Sequence, residues 1–267
     1  MKTFTTLMKG LNIVLILCVL SATVTNVNAA PSKQMYYEIK VYHVKNSAQA
    51  ERVDSYLRDA YLPALHKAGI LSVGVFKPVA SDTAFGKVIF VFIPYKTFDQ
   101  YLKAAASVDN NKDYQENGKA FLDAPYNDPP FTRYESILLK AFYEMPVFAP
   151  PVYTNPTGER IYELRSYESA TEAKAAKKIE MFNKGGEVAL FKKLGFNPMF
   201  FGEVLMGSDK PNLMYMTTFR DMQTHDAKWM TFRNDPEWKR ISGLEEYKNT
   251  VSKANIYLLN PTSYSDF

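Results

Sequence analysis

Two short stretches of the chain, YYEIKVYHV (36–44) and IYELRSYES (161–169), each place a carboxylate, a cation and a phenol at alternate positions: Glu38, Lys40 and Tyr42, then Glu163, Arg165 and Tyr167. Residues two apart share one face of an extended strand. Each face therefore joins a group able to take a proton, a cation able to pair with it, and a hydroxyl able to orient a bound molecule. Glu38 and Glu163 are the candidate catalytic residues, and Lys40, Tyr42, Arg165 and Tyr167 the candidate pocket residues. The same six side chains also read as a buried ion-pair network that fixes how two elements dock, because an unpaired buried charge is costly.

The elements that must carry these residues recur with them. An offset of 125 residues relates Tyr37 to Tyr162, Glu38 to Glu163 and Tyr42 to Tyr167, while Gly69 and Gly195 are 126 apart and Tyr114 and Trp238 are 124 apart. A repeat of this length with small drifts predicts one domain written twice. Within each copy, alternation over the first stretch predicts a strand. Apolar residues at three- and four-residue spacing then predict a helix that ends at Gly69 or Gly195. In the first copy Pro63 is expected to bend that helix. Two strands, a second helix and a closing strand follow, giving the order βαββαβ. Four prolines in MPVFAPPVYTNPTG predict an extended linker over 145–158. The expected organisation is a first unit over 35–144, the linker, and a second unit over 159–262. The fold class is α+β, with two ferredoxin-like units closing a pseudo-dimeric α/β barrel.

In the second copy IYELRSYES, LFKKLGFNPMFFGEVL and HDAKWMTFRNDPEW resemble the NIPSNAP family of dimeric α/β-barrel proteins. The resemblance is strong over 160–261 and weak over 35–142, and it implies the barrel fold. It does not imply one reaction, because proteins sharing this architecture include cofactor-free oxygenases, haem-binding enzymes and small stress proteins. The group Trp229, Phe232, Asp235, Pro236 and Trp238 reads as structural: one helix buries its aromatics and the next begins at an Asp cap followed by Pro. The first copy departs from this pattern, with Ala105 in place of Trp229, Val108 in place of Phe232, and Asn111-Lys112 in place of Asp235-Pro236.

Lys2 and Lys9 ahead of the apolar run 11–20, with small residues at 27–29, predict a signal peptide over 1–29. The run is shorter than the roughly 17–25 residues that span a bilayer, so no membrane span is expected after cleavage, and the product is expected in the bacterial periplasm or outside the cell. The single cysteine, Cys18, lies within that segment, so thiol catalysis and cysteine-bound metals are excluded from the mature chain. Losing Lys2 and Lys9 lowers the formal net charge from +4 to +2, with no clustered basic run, which speaks against nucleic acid as a partner. His43, His66 and His225 show no metal-binding spacing, and no nucleophile elbow, dinucleotide fingerprint or phosphate loop occurs. No metal and no cofactor are expected.

If the apolar face of each leading strand packs on the helices, the polar face points into the barrel and the six residues line one shared chamber. Two functions follow from that geometry. One is a module that holds a small apolar or aromatic ligand or docks a protein. The other is a cofactor-independent oxygenase or isomerase with Glu38 or Glu163 as general base. Internal pairing of the two units permits a homo-oligomer without requiring one.

Overall fold

The computed structural model describes residues 33–267; the expected signal segment and Cys18 lie outside the described residues. The first half runs β1 (Tyr36–His43), α1 (Ser47–Tyr56), a π-helical turn (Leu57–Tyr61), α2 (Leu62–Lys67), β2 (Gly74–Pro78), β3 (Val88–Tyr95), α3 (Phe98–Asp109), α4 (Lys112–Leu122) and β4 (Arg133–Ala141). The second half runs β5 (Ile161–Glu168), α5 (Glu172–Asn183), α6 (Glu187–Lys193), β6 (Asn197–Met206), β7 (Asn212–Phe219), α7 (Met222–Asn234), α8 (Pro236–Gly243), a single 3₁₀ turn and β8 (Lys253–Pro261).

Local chemistry sets the helix starts. Asn46, Thr97, Thr171 and Asp221 each accept a hydrogen bond from the backbone N–H three residues on, opening α1, α3, α5 and α7. Pro63 does not simply bend its helix. Its ring opposes the carbonyl of Asp59, four residues back, and the chain widens into the π turn just before it. Asn117 Nδ2 then donates to that carbonyl at 3.3 Å. The second half has no proline there and instead breaks at Gly186, whose φ of +94° suits glycine. Both helical passages end alike at Gly69 and Gly195, with φ of +83° and +67°. There Ile70 N–H bonds to Leu65 and Phe196 N–H to Phe191, the helix-ending bonds expected of a left-handed glycine.

Among the described residues the strands close into an antiparallel barrel in the order β1-β3-β2-β8-β5-β7-β6-β4. Each half contributes four adjacent strands, and the halves join where β2 pairs β8 and β4 pairs β6. Registers correspond: Glu38 faces Ile93 and Leu138, as Glu163 faces Thr217 and Leu258.

The barrel interior is an apolar core. Tyr37, Ile39 and Val41 pack there with Phe92, Leu139, Tyr162, Leu164 and Phe200 from both halves. The alternate residues of the same strands face outward and are covered by helices: Tyr42, Val91 and Ile93 pack with Leu57 and Leu65 in one half, Leu213 and Tyr215 with Phe182 and Phe191 in the other. This reverses the expected orientation. The apolar face of β1 and β5 turns inward, the Glu–cation–Tyr face lies under the helices, and among the described residues there is no polar chamber inside the barrel. With helices outside a closed barrel both strand faces are buried, so alternation marks two faces without saying which is interior.

Candidate functional site: one sheet–helix layer open, the other filled

In the first half, the outward face of β1 forms the floor of a cavity of about 1210 Å³ between the sheet and the helices, which Glu38, Lys40 and Tyr42 all line. Glu38 is 4% exposed. Its Oε2 accepts from Tyr95 OH at 2.9 Å, and its Oε1 accepts from Ser136 Oγ at 2.6 Å and contacts Lys40 Nζ at 3.2 Å. Most of the roughly four acceptor positions of a carboxylate are thereby taken. Lys40 Nζ sits 5.5 Å from the ring centroids of both Tyr61 and Tyr134.

The walls are aromatic. Tyr42 stacks on Tyr134 at 5.8 Å, and Tyr56 stacks on Phe121 at 3.9 Å while sharing a 2.9 Å hydroxyl contact with Tyr114. Burial raises the phenol pKa of Tyr42, Tyr61 and Tyr95, and the Glu38 charge adds to the rise for each. These phenols stay protonated and can donate. The loop after α4, including Pro125, Tyr126 and Phe131, frames one side of the cavity.

The second half carries the corresponding residues but fills the corresponding space. Trp229 Nε1 donates to Glu163 Oε2 at 2.5 Å, and Arg165 lies against the face of the same indole, 3.8 Å from its centroid. Arg165 donates to Glu163 Oε1 through Nε at 2.9 Å and Nη2 at 2.6 Å, and through Nη1 to Tyr167 OH at 3.0 Å; Tyr167 OH meets Tyr215 OH at 2.8 Å. His225 Nε2 stands 3.4 Å from Glu163 Oε2, an ion contact without hydrogen-bond alignment. Burial pushes the Glu163 carboxyl up, but His225 and Arg165 outweigh it and hold the group below the ordinary carboxylate range. Glu163 is 1% exposed and roofed by Trp229, so a substrate has no route to it.

The difference between the halves comes from three positions. Counted from their helix caps, Ala105 and Val108 on α3 match Trp229 and Phe232 on α7; counted from the terminal glycines, Leu65 on α2 matches Phe191 on α6. Phe191, Trp229 and Phe232 pack together at centroid separations of 4.9 to 5.8 Å. Leu65, Ala105 and Val108 all line the cavity. Three large rings in one half thus correspond to three small side chains in the other. A further pair differs: Lys178 and Glu187 form a buried 2.8 Å ion pair where the first half has Val53 and Tyr61.

The structure therefore gathers Glu38, Lys40 and Tyr42 in one place and Glu163, Arg165 and Tyr167 in another, under different helices. Trp229 and Phe232 are buried, and Trp238 packs on Phe232 at 4.7 Å. Asp235 accepts from Glu237 N–H at 2.8 Å, with Pro236 in the first turn of α8. Sequence reasoning passed over Tyr61, Tyr95 and Tyr134 as lining groups. It also passed over what Ala105 and Val108 do, although their departure from the matching positions of the second half was the signal. His43 and His66 each face a carboxylate, Glu135 at 2.6 Å and Asp266 at 2.9 Å. No cluster of three or more metal-ligating side chains, and no helix long and apolar enough to cross a membrane, occurs among the described residues.

Comparison with solved structures shows the same fold. A monooxygenase-like protein from Lactobacillus acidophilus NCFM aligns with a TM-score of 0.56 at 15% identity, covering 86% of this chain and 94% of its own. One from Fusobacterium nucleatum aligns at 0.53 and 10% identity over 86% and 93%, and an anthrone oxidase-like protein at 0.53 and 11% over 88% and 94%. No curated protein matches the chain. Residues 162–266, which include the Trp229-roofed site but not the open cavity, match the NIPSNAP family model.

Proposed function

We propose that this chain is an exported small-molecule-binding protein, a pseudo-dimer of two ferredoxin-like units in which the first unit binds and the second supports it. The ligand is a small apolar or aromatic molecule held between sheet and helices. One observation carries this reading: Leu65, Ala105 and Val108 stand where Phe191, Trp229 and Phe232 fill the partner half, and all three line the cavity. A cavity with aromatic walls and a few convergent polar groups is the usual form of a ligand site. The oxygenase or isomerase reading needs a carboxylate free to take a proton. Glu163 is roofed, and Glu38 already accepts from Tyr95 and Ser136 beside Lys40. Binding is the better supported function.

The test is Ala105→Trp, which places an indole where its counterpart in the second half roofs Glu163. Equilibrium dialysis against 2-ethylnaphthalene should show one equivalent bound by the parent protein and at least a tenfold weaker Kd in the variant, with the melting temperature kept. Undiminished binding by the variant, or no binding by the parent, overturns the reading.

A further inference from the structure

The geometry points to a specific ligand class for this cavity: an uncharged, flat aromatic molecule bearing an acceptor oxygen, such as an aryl ketone, with that oxygen at Lys40 between Tyr61 and Tyr134. The inference rests on the cavity reading above and adds the polarity of what enters.

It follows from the balance of donors and acceptors. Lys40 carries three N–H groups and no acceptor, and its partner among the described residues is Glu38 Oε1 at 3.2 Å. Two of its donors therefore lack a protein acceptor there. Its side chain is 17% exposed and opens onto the cavity, so those donors are available to a bound molecule. The rings of Tyr61, which is buried, and Tyr134, which is exposed, flank the ammonium at 5.5 Å each. Glu38, the charged acceptor on the cavity floor, is occupied by Tyr95, Ser136 and Lys40. Around Lys40, the one group there that donates without accepting, donors are in surplus, so the complementary ligand group at that point is an acceptor.

Charge then selects among acceptors. Glu38 and Lys40 cancel locally, and a carboxylate reaching Lys40 would come within a few ångströms of the Glu38 carboxylate in a partly desolvated place, where like charges repel strongly. A carbonyl oxygen takes the same hydrogen bonds without that repulsion. The facing aromatic walls, with the Tyr42–Tyr134 and Tyr56–Phe121 stacks, suit a planar body by offset or edge contact.

The experiment compares three probes of one shape by equilibrium dialysis with the intact protein: 2-ethylnaphthalene, 2-acetylnaphthalene and 2-naphthoate. The expected order places the ketone about tenfold tighter than the hydrocarbon, the return from one well-made hydrogen bond, and at least tenfold tighter than the carboxylate. In Lys40→Met, where Glu38 keeps Tyr95 and Ser136, the ketone-to-hydrocarbon ratio should fall towards one; in Tyr61→Phe it should fall about threefold. If the hydrocarbon matches the ketone, or the naphthoate binds tightest, the inference is overturned, while loss of all binding on Ala105→Trp would leave the cavity reading standing. If no probe binds the parent protein, both fall. A ratio unchanged in both Lys40→Met and Tyr61→Phe also overturns it.

Discussion

Glu163 and Glu38 occupy matching positions in corresponding strand registers, yet one lies under a filled sheet–helix layer and the other on the floor of a cavity. Around Glu163 every partner is a fixed part of the protein: Arg165, the Trp229 indole and the His225 ring. Removing its charge leaves the partly buried Arg165 without its anion, and breaking a pair with one fully buried member from one side costs about 2–3 kcal/mol, at or below the range for fully buried pairs. Glu163→Gln should therefore lower the midpoint of urea unfolding markedly while leaving cavity binding in the first half unchanged. An unshifted midpoint would count against this structural role. The pH dependence has a defined sign. Glu163 is held below its ordinary value, so its contribution is complete above the unfolded carboxylate range of about 4.3 and is lost as pH falls through the lower folded value. His225 runs the other way: burial lowers its pKa, but Glu163 and Asp226 outweigh that and raise it. Its contribution is complete below the unfolded histidine value of about 6.5 and is lost as pH rises through the raised folded value. Unfolding free energies of parent and His225→Gln should thus differ most at pH 5–6 and converge at alkaline pH; a difference independent of pH would refute the linkage.

At the scale of elements, much of this molecule is legible in its sequence, and the exceptions share a physical cause. The βαββαβ order, the helix-ending glycines and the Asp-Pro start of α8 are set by local backbone chemistry, which a sequence displays directly. Asp235→Ala removes the cap and should cost about 1 kcal/mol, whereas Asp235→Asn should recover most of it; thermal unfolding of the two variants checks this. Cavity binding should be the same in both, since α8 covers the other half. Which face of β1 looks inward was not legible. Tyr37, Ile39 and Val41 pack against the opposite half, so their inward direction depends on closure of the barrel, a contact between residues more than 100 positions apart. The cavity was half legible: Ala105 and Val108 stand out against Trp229 and Phe232 when the two halves of the sequence are compared. Their effect appears only when a helix of small residues is laid over a floor of Glu38, Lys40 and Tyr42. The π turn was hidden for a similar reason, since Pro63 announces a disturbance without choosing between a kink and a widened turn.

At the scale of the whole molecule, one interior core drawn from both halves couples the half that carries the open cavity to the half in which the same layer is filled. Phe92 of β3 stacks on Phe200 of β6 at 4.9 Å, Phe76 of β2 meets Tyr162 of β5 at 4.8 Å, and the strands themselves bond across both seams. Neither half can unfold without exposing the inner face of the other, so cooperative loss of both together is favoured over stepwise loss. The two tryptophans, Trp229 and Trp238, both lie in the second half and report on it alone. Release of a bound naphthalene probe reports on the first. In a urea titration the tryptophan emission and the probe release, extrapolated to low probe concentration, should give one midpoint. Phe92→Ala, in the first half, should lower the tryptophan midpoint by an amount equivalent to about 3–5 kcal/mol, the usual cost of truncating a buried phenylalanine. A tryptophan transition that ignores Phe92→Ala would mean that the halves stand on separate cores, and the second half would then not be the fixed wall against which the cavity-bearing half is held.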